Sequence, residues 1–70
     1  MTLAEAKKYA VERLAEVSVP IEEMAFLKYL DSLDGPRVSL FILLHALQVL
    51  QDEGVIRSFK EGGKRYYALA

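Results

Sequence analysis

The chain has no cysteine, no asparagine, two prolines and a single histidine in 70 residues. Without cysteine there is no disulfide framework and no thiolate metal site to supplement a small core. One histidine cannot build a zinc site alone. The sequence also offers no Ser-His-Asp or Cys-His set and no phosphate-cradling glycine loop. No catalytic residue, metal, cofactor or small-molecule substrate is therefore expected, and the chain reads as a non-enzyme.

Long apolar runs are missing as well. The longest, Leu40 to Leu44, is five residues, far short of the ~18 that would suggest a membrane span. The opening stretch MTLAEAKKYAVERLAE carries acids throughout and lacks the apolar segment of a signal peptide. A cytoplasmic location is the expectation. Strong charge is absent too: the net charge is −1 and the pI 5.7, whereas dedicated nucleic-acid binders usually exceed a pI of about 9. Residues 1–35 carry four basic and seven acidic side chains, and residues 36–70 carry five basic and three acidic. Depletion of heat-labile residue types is in keeping with a thermophilic source.

What is abundant is apolar helix. In SLFILLHALQVLQDEG (residues 39–54) Ser39 is placed to cap a helix and Gly54 to end it. At about 100° per residue, Leu40, Leu43, Leu47 and Leu50 form one seam beside Ala46. Ile42, Val49 and Leu44 widen the apolar arc to roughly 220°, against the ~100° stripe usual for a surface helix. Phe41 falls among His45, Gln48 and Asp52. Either this surplus meets a partner or the helix is unusually well buried.

Upstream, Thr2-Leu3-Ala4-Glu5 has the form of a capping box. Leu3, Ala6, Ala10, Leu14 and Val17 then recur at helical spacing, which predicts a helix over residues 2–16. Val17-Ser18-Val19 reads as a very short strand or an extended linker before Pro20. Pro20 suits the first turn of a second helix over residues 20–33, with Glu22 and Glu23 at its positive end. That helix has two apolar sides: Ile21, Met24 and Ala25 on one, Phe26, Leu30 and Leu33 on the other. Met24 reads as a core gap-filler. Asp34-Gly35-Pro36-Arg37 signals a turn, and Val38 is placed to staple against the third helix, over residues 39–53.

From Val55 the period changes from helical to alternating. VIRSFKE, Gly62-Gly63 and KRYYALA predict a β-hairpin over residues 55–69. With the glycines as the turn, Phe59 faces Tyr66, Ile56 faces Leu69, and Lys60 faces Arg65. Two facing cations either splay into water or hold a phosphate or acidic group between them.

Helix, short extended piece, helix, turn, helix ending in glycine, then a glycine-tipped hairpin resembles a winged helix-turn-helix domain. LHALQVLQDEGVIRSFKEGGKRYYAL carries the likeness most clearly, with VPIEEM similar to the family's approach to its second helix. The resemblance implies an α+β fold, a single domain of three helices with a C-terminal wing. In DNA-reading members the third helix enters the major groove, which would put His45 and Gln48 at base edges. Arg57, Lys60, Lys64 and Arg65 would then lie on the wing against phosphate. No lysine or arginine lies between Val38 and Ile56, a departure from that pattern. Nucleic-acid contact would accordingly be weak and salt-sensitive.

The helix LLHALQVLQDEG also looks like winged helices of ESCRT-II subunits, which bind proteins. Two functions follow from these likenesses. One is a protein-interaction module, a homodimer or an accessory subunit of a replication or transcription complex, with Phe41, Leu44, Phe26 and Tyr29 as anchors. The other is a DNA-binding regulator that uses the wing. An ESCRT-like assembly subunit is a further alternative to the first.

Overall fold

The structure is a computed structural model that describes residues 2–33 and 40–70. Three helices, α1 (Leu3–Val17), α2 (Glu23–Ser32) and α3 (Leu40–Asp52), are joined by three strands, β1 (Ile21–Glu22), β2 (Ile56–Glu61) and β3 (Lys64–Leu69). The Asp34–Arg37 turn, the Val38 staple and the Ser39 cap fall outside the described residues.

The capping box forms at the start of α1. Glu5 N–H donates to Thr2 Oγ1 at 3.2 Å, and Thr2 N–H donates to Glu5 Oε1 at 2.9 Å. The helix ends where Ser18 turns left-handed, its N–H reaching Leu14 O at 3.2 Å. Ala6, Ala10 and Leu14 are buried at helical spacing. The two alanines present little bulk, and α3 is the helix that packs most extensively on α1.

The second helix begins later than residue 20. Ile21 and Glu22 instead form a strand, antiparallel to β3 and registered against Tyr67 and Tyr66. Pro20 therefore leads into a strand rather than opening a helix. Its fixed φ serves an extended approach as well as a helical first turn, and the free edge of β3 offers ladder partners to the two residues that follow. Glu22 then caps α2, its side chain accepting from Ala25 N–H at 3.0 Å. The sheet order is β1-β3-β2, so β3 is central and the wing gains a third strand.

Of α2's two apolar sides, the one that faces inward carries Phe26, Leu27 and Leu30. Phe26 is fully buried, its ring 6.1 Å from that of Tyr67. It is a core residue and not a surface anchor. Met24, expected in the core, is 57% exposed. The inward seam of α3, Leu43, Ala46, Leu47 and Leu50, completes the core with Ile56 and Tyr67.

α3 ends in a double cap. Gly54 has φ +75°, its N–H donates to Gln51 O at 3.0 Å, and Val55 N–H donates to Leu50 O at 2.9 Å. This is the paired hydrogen-bond pattern of a Schellman motif, and it turns the chain straight into β2. The hairpin register pairs Lys60 with Arg65, Phe59 with Tyr66 and Ile56 with Leu69. Gly62 and Gly63 both have positive φ, 59° and 78°, as the tight mirror-image turn requires.

Candidate functional site

The core seam of α3 leaves the opposite side of the helix outward. Phe41 is 84% exposed, with His45, Gln48 and Asp52 following at helical spacing. Gln48 Nε2 donates to Asp52 Oδ1 at 3.0 Å, so the one amide on this face is already engaged with a carboxylate. A carboxylate here repels phosphate, and α3 carries no lysine or arginine to offset it. The surplus apolar arc is thus divided in two. Ile42 packs against the core, while Leu40 and Leu44 are 57% and 41% exposed.

Leu40 and Leu44 are one turn apart and line a groove of about 540 Å³ with Met24 and Leu27 of α2. Glu23, Lys28 and Asp31 rim it. Glu23 is fixed there because Tyr67 Oη donates to its Oε2 at 2.6 Å. Burial pushes the Tyr67 phenol above its ordinary range, and the hydrogen bond and negative charge of Glu23 push further the same way; Arg65 pulls in the opposite direction.

Four anchors were expected from the sequence, and they are not brought together. Phe41 and Leu44 share the outward side of α3. Phe26 is buried in the core against Tyr67. Tyr29 is half-buried on another flank of α2, with the Arg13 guanidinium of α1 4.3 Å above its ring. Arg13 in turn reaches Glu16 at 2.8 Å. One face of the ring is therefore already covered by this chain, and Tyr29, partly buried against the core, lies apart from Phe41 and Leu44. Sequence reasoning missed Leu40, Leu27 and Met24 as groove residues. The signal was present in Met24, on α2's second apolar side, which stays exposed beside Leu40 and Leu44 of α3.

The wing divides its cations between two faces, since side chains alternate along a strand and opposed residues share a face. Lys60 and Arg65 face each other on the side that carries Ser58 and Tyr67. Arg65 Nη1 donates to Ser58 Oγ at 3.1 Å, Ser58 Oγ donates to Gln51 Oε1 at 2.6 Å, and Gln51 Nε2 donates to Leu47 O at 3.3 Å. This chain of hydrogen bonds holds Arg65 against α3 with no carboxylate in it. Arg57 and Lys64 lie on the opposite face. There Phe59 and Tyr66 stack at 5.6 Å and 13°, and the Arg57 guanidinium sits 5.2 Å from the Phe59 ring. His45 and Gln48 are on α3, so the six polar candidates form three small groups.

A search of protein-family models and a search of curated proteins each return no match. Among solved structures, the chain superposes on one of HOP2 with a TM-score of 0.77, covering 93% of this chain and 98% of that one at 22% identity. That structure comes from work on the DNA recognition and protein interaction domains of HOP2 and its homologous DNA pairing. The fold is that of a winged helix. Identity this low carries the architecture alone. Among the described residues no helix is long and apolar enough to cross a membrane.

Proposed function

We propose that this chain is a small non-enzymatic winged-helix module that acts mainly through protein contact, with a copy of itself or as an accessory subunit of a nucleic-acid-processing complex. One observation carries the reading: the face that meets DNA in DNA-reading winged helices here presents Phe41 and Leu44 beside His45, Gln48 and Asp52, with no lysine or arginine. Exposed aromatic and aliphatic side chains beside an apolar groove are the material of protein interfaces. Desolvating them against DNA phosphate would gain nothing. The HOP2 likeness supports a place among nucleic-acid machinery, because that protein is described for both DNA recognition and protein interaction. The test is the double variant Phe41→Glu with Leu44→Glu. It should stay folded and lose association with protein; unfolding of the double variant would refute the reading.

A second reading rests on Lys60 and Arg65. Like charges opposed across a ladder cost stability in isolation, and Arg65 is held by Ser58 rather than by an acid. Such a pair suits a phosphate. On this reading duplex affinity falls steeply from low to moderate salt, and Lys60→Ala with Arg65→Ala lowers the log–log salt slope by about 2. Fluorescence anisotropy with labelled duplex measures both. No binding at low salt ends this second reading and leaves the first intact.

A further inference from the structure

We infer that the α2–α3 groove is the docking site for a second copy of this chain, each copy placing its Phe41 ring in the groove of the other. This deepens the protein-contact reading and rests on it. A two-fold interface must be self-complementary, so one patch has to carry both the protruding and the receiving part. Here both lie side by side. Phe41 projects from the first turn of α3 with 84% of its surface exposed. Its neighbours Leu40 and Leu44 form one wall of the groove, and Met24 and Leu27 form the other. The groove, about 540 Å³, has ample room for one aromatic side chain.

Charge points to the same occupant. Lys28 and Asp31 stand one turn apart on the rim, and among the described residues neither makes an ion pair. A partner of one strong sign would satisfy one of them and repel the other. A second copy related by a two-fold axis would bring Lys28 to Asp31 of the other copy twice, while Glu23, the third charge on each rim, is already held by the Tyr67 hydroxyl. The patch is small, which places the pairing among weak, transient interfaces rather than obligate ones.

Sedimentation velocity on the purified chain, taken up to submillimolar concentration, tests this. The expected result is a concentration-dependent dimer. Phe41→Ala should weaken it by about tenfold or more with an unchanged far-UV spectrum and melting temperature, and Phe41→Glu should abolish it. Lys28→Glu and Asp31→Lys should each weaken pairing on their own. Mixed in equal amounts the two should pair more tightly than either alone, because the new acid at position 28 then faces the new lysine at position 31.

A wild-type chain that stays monomeric throughout overturns the self-pairing, and leaves a different protein as the partner of the same face. A dimer indifferent to Phe41→Ala and Phe41→Glu, or a mixture that pairs no better than its components, overturns it too. If Phe41→Ala itself unfolds the chain, Phe41 is a stability residue and the parent reading falls as well.

Discussion

The α2–α3 groove and the wing adjoin opposite ends of α3 and are built from opposite materials. At the groove end Leu40, Phe41 and Leu44 stand exposed beside Met24, and the polar groups are confined to a rim of mixed sign. At the wing end Gln51, Ser58 and Arg65 are tied into a hydrogen-bonded chain, and four cations are distributed over the two faces of the ribbon. The first surface gains by excluding water, whatever the salt. On the second proposed reading, contact at the wing gains by neutralising charge and weakens as salt rises. One small fold thus carries two surfaces of different chemistry along a single helix, and on the proposed readings each contact is open to removal without the other.

The largest test of that separation sets Phe26 against Phe41. These two phenylalanines lie on neighbouring helices, one fully buried and one 84% exposed. Phe26→Ala is expected to cost about 3–5 kcal/mol, enough to unfold much of a marginal small domain. Phe41→Ala should stay within about 0.5 kcal/mol. Urea denaturation reads both, and equal losses would erase the distinction between core and contact face.

Next in size is the joint between α3 and the wing. Gly54 has φ +75° with open space where a Cβ would sit, so Gly54→Ala adds no clash and only the left-handed backbone cost of about 1–2 kcal/mol. A neutral outcome in thermal melts would show that the double cap does not fix the wing to the helix.

A third test uses pH. The Tyr67 phenol is held above its ordinary value by burial and by Glu23. Its protonated form is thus favoured in the folded state, and that stability is complete below the unfolded value near about 10. Above that pH the unfolded chain releases the proton while the folded one retains it, so stability falls as pH rises, by at most about 1.4 kcal/mol per unit. Denaturant midpoints between neutral pH and strong alkali should show this fall, and Tyr67→Phe should flatten it. Removing the hydroxyl also frees Glu23 on the groove rim, which makes this variant the one that couples the two regions.

The smallest effect sharpens the wing side. Arg65→Ala removes one partly exposed hydrogen bond to Ser58 and should change stability by less than about 1 kcal/mol. A larger loss would make Arg65 a structural clamp rather than a group available to phosphate.

Much of this architecture was legible from local chemistry. The capping box at Thr2–Glu5, the glycine stop at Gly54 and the hairpin register around Gly62-Gly63 each depend on residues within a few positions of one another, and each forms as expected. β1 was not legible. Ile21-Glu22 is too short to show alternation, and it becomes a strand only because β3, more than forty residues on, leaves an edge open beside it. Nor could the sequence choose between the two apolar sides of α2. Phe26 and Met24 both fit helical periodicity, and which one is buried depends on where Tyr67 arrives.

By itself, then, the sequence determined the three helices and the hairpin, the glycine stop at Gly54 and the turn at Gly62-Gly63, and the absence of lysine and arginine along α3. Those follow from backbone preference and composition, which act over a few residues. Tertiary structure alone decided which apolar side chains were spent on the core and which were left facing water. That allocation depends on packing between segments distant in the chain, and it turned a general excess of apolar helix into a particular ring beside a particular groove.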